Sequence, residues 1–158
     1  MTIETLKWSP LFVMTFKVAS DRAQLFGPTP VGIRGAYPVD GGTFEGARLR
    51  GRVNGDGMDW ITMRADNSML IDVRMTLVTD DGAVIGMAYQ GLARTTDPAD
   101  WERFSRKREM LPYEALYLHT TPRFETGDPR YAWLNGTIAV SNGARTVDGG
   151  TYHVFAID

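Results

Sequence analysis

The chain contains no cysteine in 158 residues. That excludes disulfides, thiolate nucleophiles and thiolate metal sites together, and it fits a reducing compartment. Histidine is nearly absent too. His119 and His153 fall on separate strand-like runs with no evident partner set, so no metal site is expected. There is no basic excess: 17 Lys and Arg stand against 19 Asp and Glu, a formal net charge of -2. Neither nucleic acid nor an anionic membrane is therefore an expected partner. Long apolar runs are missing as well, and none approaches the roughly 20 residues that would span a bilayer. The opening "MTIETLKWSPLFVMTFKVAS" has an early acid and alternates instead of forming a continuous apolar block. It does not read as a signal peptide, and the cytoplasm is the expected location. No GxGxxG follows a strand, and neither GxxxxGK[ST] nor GxSxG occurs. Nucleotide-cofactor and serine-hydrolase machinery are not expected, and no cofactor is called for.

What is present is alternation with a period of two, the mark of strands with one buried face. Phe12, Met14, Phe16 and Val18 share one side of a run. Ile71, Val73, Met75 and Leu77 share one side of another, with Asp72, Arg74 and Thr76 opposite. Asp81-Gly82 in "VTDDGAVIG" marks a tight hairpin. Further strand-like runs are Val31 to Pro38, Thr43 to Val53, Met58 to Arg64, Val84 to Ala93, Leu116 to Thr121, Tyr131 to Ser141 and Thr151 to Ile157. "DGG", "NGDG", "ADN", "SNG" and a second "DGG" read as the turns between them. About nine or ten strands in one small domain would curl, and closure removes exposed edges. The expectation is an all-β protein: a single antiparallel β-barrel domain over residues 1–158.

One segment, residues 97–111, breaks the pattern. Asp97 suits an N-cap and Pro98 the first helical position. Trp101, Phe104 and Leu111 recur near helical spacing, and Arg106, Lys107 and Arg108 fall in the last turn. It reads as a short helix that packs on the barrel wall, or as a lid across its mouth.

Three constellations carry candidate chemistry. In "GMDWITMRADNS", Asp59, Ile61 and Met63 share a face, while Trp60, Thr62 and Arg64 share the other, so that Arg64 could lie over the Trp60 indole. In "LIDVRMT", Asp72 and Arg74 point the same way, either as the wet face of a sheet or as an inward pair facing a ligand. In "RFETGDPRYAWLN", Tyr131, Trp133 and Asn135 share one strand face, a fair composition for the wall of a pocket holding a flat, partly polar molecule. Glu125 and Asp128 precede them, and either carboxylate could act as a base if desolvated; a salt bridge is the plainer reading for Asp128. Arg34 is a further candidate anion holder.

The stretches "GPTPVGIRGAYPVDGGTFEGARLRGRV", "GMDWITMRAD", "LIDVRMTLVTDDGAVI" and "RFETGDPRYAWLNGTIAV" resemble the DUF3237 family, also called UPF0311, of small bacterial and fungal proteins. The resemblance implies an antiparallel β-barrel and a homo-oligomer, and it brings no settled activity. Its motif positions fall on Asp59, Trp60, Arg64, Asp72, Arg74, Glu125, Tyr131, Trp133 and Asn135. Met58, Asn67 and His119 depart from the pattern, so a substrate may not be borrowed from a relative.

These readings lead to a cofactor-independent enzyme of lyase or isomerase type, acting by proton transfer on a small aromatic or polyketide-like compound in the barrel. Asp72 or Glu125 would serve as acid or base, and Arg74 and Arg34 would stabilise negative charge. Tyr131 and Asn135 would hydrogen-bond the substrate, and Trp60 and Trp133 would stack on it. The alternatives are a binding barrel without catalysis, a carrier or sensor, and an assembly role for the aromatic faces.

Overall fold

Alternation builds ten strands in the computed structural model, which describes residues 4–158. They are β1 (Trp8–Val18), β2 (Gln24–Thr29), β3 (Gly32–Glu45), β4 (Arg50–Val53), β5 (Met58–Met63), β6 (Ser68–Thr79), β7 (Val84–Thr95), β8 (Leu116–Glu125), β9 (Ala139–Arg145) and β10 (Gly149–Ile157). Eight of them close an antiparallel barrel: β1, β10, β9, β8, β7, β6, β5 and β3, with β3 pairing back onto β1. β4 bridges β3 and β6 beyond the end of β5, and β2 pairs with β3. The one helix of the α type among the described residues is α1 (Pro98–Ser105). Among the described residues, no helix is long and apolar enough to cross a membrane.

Closure depends on a bend within β3. Over Ile33–Pro38 this strand pairs with β5, and over Gly42–Glu45 with β4 and β1. At the junction lie Gly41, at φ 84, and Gly42, the first residue of the second set, where a Cβ would collide with the Thr15 carbonyl of β1. The first "DGG" is therefore a mid-strand kink instead of a turn. It fuses the expected strands Val31 to Pro38 and Thr43 to Val53, and the second of these is broken after Glu45 before β4 begins. "SNG" likewise lies inside β9, where a Cβ on Gly143 would come within 2.6 Å of the Tyr152 ring.

The ends of the barrel differ. At the end of β6 the hairpin through Asp81 receives a 3-10 helix, Pro129–Gly136, which replaces the first half of the strand expected over Tyr131 to Ser141. Pro129 cannot donate to a strand ladder, and Asp128 caps the segment by accepting from the Arg130 N–H at 3.0 Å. Leu134 is driven into the core at 0% exposure, near an aromatic cluster in which Phe12 meets Phe44 and Phe124 at 5.5 and 5.9 Å. The Arg48 guanidinium lies 3.5 Å from the Trp133 ring centroid. At the start of β6 the opposite end is covered by α1, which follows β7 and buries Trp101 and Phe104. The helix stops at Ser105, earlier than Leu111, so Arg108 lies beyond it, at φ 57.

Removing Leu134 leaves a hole that the closed barrel cannot collapse. Leu134→Ala should lower unfolding free energy by about 2–5 kcal/mol. Val147→Ala, at a site 86% exposed, should change it by no more than about 0.5 kcal/mol. Equal urea midpoints for the two variants would contradict the plug assigned to Pro129–Gly136.

Candidate functional site

A barrel of eight strands has an interior that side chains just fill, or that holds one small ligand. Here it does both. Bulky residues fill the plugged end, and beneath α1 a cavity of about 340 Å³ remains. Its apolar walls include Phe16, Ile61, Met63, Ile71, Phe104 and Leu118. That size and lining suit a small organic molecule.

The polar groups of the cavity arrive by strand register. Tyr37 of β3 pairs with Asp59 of β5, so both side chains point inward. On the other side Arg145 of β9 pairs with Gly150 of β10, and Gly143 with Tyr152. The two glycines leave room for the Tyr152 ring, which stacks on Phe16 at 5.8 Å and 9°. Arg108 reaches in from beyond α1, its guanidinium 5.7 Å from the Tyr37 ring. Arg145 lies 4.7 Å from the Phe104 ring.

These groups are poorly satisfied. Among the described residues, the shielded side-chain atoms without a hydrogen-bond partner are Arg34 Nε, Asp59 Oδ1, the Tyr89 hydroxyl, Arg145 Nε and Thr146 Oγ1. Asp59 and Arg145 line the cavity, and Tyr89 packs against Tyr152 at 5.5 Å between ring centroids. Such atoms are rare in folded proteins, and their concentration here singles out this end of the barrel. Burial pushes the Asp59 carboxyl up to about 7; Arg145 opposes the rise and Asp72 adds to it. Burial also raises both tyrosines, with the Asp59 charge contributing to each, so both hydroxyls stay protonated. Burial and the neighbouring Arg108 lower Arg145. The result is a carboxyl that changes state near neutrality, facing tyrosine hydroxyls and two arginines across an apolar space.

The residues singled out from the sequence are distributed differently. Asp59 lines the cavity. Arg34 touches its lining, but it pairs in register with Thr62 and its guanidinium lies outside, 5.7 Å from the Trp60 ring. It therefore takes the place over Trp60 that was expected for Arg64, which instead pairs with Asp66 at 2.9 Å. Trp60 faces outward and stacks on Phe26 at 5.5 Å. Asp72 and Arg74 also lie on the outer wall, the solvated alternative of the two expected. Arg74, Arg123 and Glu125 line a groove there that also includes Gly86 and Ala88. Tyr131, Trp133 and Asn135 are in the plug, away from the cavity. The Tyr131 hydroxyl donates to Asp81 at 3.0 Å. Asn135 accepts from the Thr126 N–H at 2.8 Å and donates to the Thr126 carbonyl at 3.0 Å, which pins the corner. Asp128 is held by Arg130 at 2.7 Å. His119 and His153 are exposed on the outer face.

Arg145, Arg108, Tyr37, Tyr152 and Tyr89 were not anticipated. An arginine at an inward position of "SNGAR" was the available signal, hidden by reading "SNG" as a turn.

The fold and cavity can be set beside known proteins. The DUF3237 profile, described as a protein of unknown function, matches residues 7–157. The chain belongs to the DUF3237 family. A UPF0311 protein of Rhodopseudomonas palustris is 29% identical over 144 residues, covering 91% of this chain and 92% of that protein. The crystal structure of a conserved protein of unknown function from Rhodopseudomonas palustris superposes with a TM-score of 0.90 at 28% identity, covering 99% of this chain and 100% of that one. An enzyme from Penicillium herquei shares the fold, with a TM-score of 0.74 at 18% identity over 100% of this chain and 98% of its own.

Asp59 makes stability depend on pH. Below about pH 4 both folded and unfolded chains carry its proton. Between about 4 and 7 the unfolded chain has released it and the folded chain has not, so stability falls as pH rises. The full cost, on the order of 4 kcal/mol, is present above neutrality. Asp59→Asn should therefore gain stability over the wild type progressively from about pH 5 to pH 8. Parallel urea midpoints across that range would show that Asp59 is not held near neutrality.

Proposed function

We propose that this DUF3237 protein is a cofactor-independent enzyme that moves a proton on a small aromatic or polyketide-like compound bound in the barrel, as a lyase or isomerase does. One observation carries the reading: a shielded, unpartnered carboxyl poised near neutrality inside an apolar cavity. A general acid or base works best when its pKa lies near the working pH. Desolvation achieves this for Asp59 as it does for other carboxyls in apolar sites.

In this scheme the ionised Asp59 takes a proton from carbon beside a carbonyl. The electron pair moves onto oxygen, where Arg145 and the Tyr152 hydroxyl stabilise the developing charge. The protonated Asp59 then returns the proton to a different carbon, which is isomerisation, or to a departing group, which is elimination. Asp59 thus takes the acid–base role first considered for Asp72 and Glu125, whose positions on the outer wall would require the chemistry to occur in the open groove. The fold accommodates catalysis elsewhere, since the Penicillium herquei protein is named an enzyme.

The carrier or sensor reading draws on the same cavity and differs only in whether the compound leaves changed. For the homo-oligomer that the family resemblance implied, the outer face of Phe26, Trp60 and Leu70 would be the apolar surface to bury, and the elution volume of Trp60→Glu against wild type reads it.

A thermal-shift screen of phenolic acids, aryl ketones and enones, with mass spectrometry of each recovered hit, separates enzyme from carrier. With a turned-over compound, Asp59→Asn should lower the rate by about 10²–10⁴-fold, while Asp72→Asn and Arg74→Met leave it within a few-fold. The reverse pattern would move the chemistry to the outer wall.

A further inference from the structure

The cavity carries an unbalanced charge. Two guanidinium groups, Arg108 and Arg145, and one carboxyl, Asp59, line it. Of the other charged residues of its lining, Asp148 pairs with Lys17 at 3.1 Å, and Arg34, its Nε also without a partner, lies toward Trp60 at 5.7 Å. No ion pair or side-chain hydrogen bond of Arg108 or Arg145 occurs among the described residues, and Arg145 Nε is shielded without a partner. Asp59 and Arg145 influence one another electrostatically yet do not bond, so a gap separates them. A half-buried guanidinium with free N–H groups asks for an oxygen anion, the acceptor that its planar fork matches best.

We infer that the ligand of this cavity is an organic monoanion, its acidic oxygen held by Arg145 with Arg108 at the mouth. The inference rests on the cavity as the functional site and names the class of compound it takes. Glycine at 35 and 150 keeps open the space beside the rings of Tyr37 and Tyr152, because a Cβ there would approach those rings to 3.3 and 2.9 Å. A flat body fits that space better than a branched one. The acidic oxygen can belong to a carboxylate or to a phenolate or enolate; both offer the same charge to the arginines.

Binding such an anion moves a proton. The groups that face or act on Asp59 are Tyr37 from β3, Asp72 from β6, Tyr89 from β7, Arg108 beyond α1, Arg145 from β9 and Tyr152 from β10. A negative charge added among them favours the protonated carboxyl further. At pH 7 the complex should therefore take up to about half a proton from solution.

The test is titration calorimetry with benzoate and 4-nitrophenolate, against the neutral analogues benzamide and 4-nitroanisole, in two buffers of different ionisation enthalpy. The wild type should bind at least one anion about tenfold or more tightly than its neutral analogue, and for benzoate, which is fully ionised at pH 7, binding should take up protons. Arg145→Met should erase that preference at an unchanged melting temperature, and which anion binds tells carboxylate from phenolate. If Arg145→Met does not fold, Arg108→Met carries the comparison and should narrow the preference. Equal binding of neutral analogues, a preference kept by the folded arginine variant, or no anion binding at millimolar concentration would overturn the inference. Asp59→Asn separates it from the acid–base reading: that variant should lose turnover and proton uptake yet still bind the anion.

Discussion

The pairing of β3 with β1 closes the ring, and it requires backbones to approach more closely than any side chain permits. Gly42 sits against the Thr15 carbonyl, and Gly41 supplies the positive φ that bends the strand toward it. Once β3 has changed neighbours, its first half is free to form one wall of the cavity with β5, while its second half seals the core with β1 and β4. Tyr37 and Asp59 face inward because of that register. A side chain at residue 42 would open the barrel and dissolve the site at the same time.

Closure also sets the energetics of the two ends. The plugged end spends its polar groups locally: Arg130 on Asp81 and Asp128, Tyr131 on Asp81, Asn135 on the Thr126 backbone. The cavity end withholds them. Asp59 Oδ1 and Arg145 Nε are shielded and left without partners, at a cost that the well-packed remainder of the barrel offsets. Unpaired polar groups in an apolar space are what a binding or catalytic site requires before its ligand arrives, and their pKa values respond to whatever enters.

Much of the fold was legible in the chain. The inward sets Phe12–Met14–Phe16 and Ile71–Val73–Met75–Leu77 and the Asp81-Gly82 hairpin all follow from alternation and turn chemistry. The two misread glycine segments show the limit: "DGG" at 40–42 and "SNG" at 141–143 have the composition of turns but serve mid-strand, where another strand or ring comes close. "YAWLN" alternates like a strand and is a 3-10 helix, because Asp128 and Pro129 start a helical turn that the core completes around Leu134.

By itself the sequence determined the class of fold, the family and the inward or outward parity of most strands, since those depend on neighbours two residues apart. Which polar residues share a space was decided by the tertiary structure. Asp59, Arg108, Arg145 and Tyr152 are drawn from β5, the turn after α1, β9 and β10, and no local pattern links them. They come together because the ring closes across its own diameter, and that long-range geometry converts one aspartate among many into a carboxyl that titrates near neutrality.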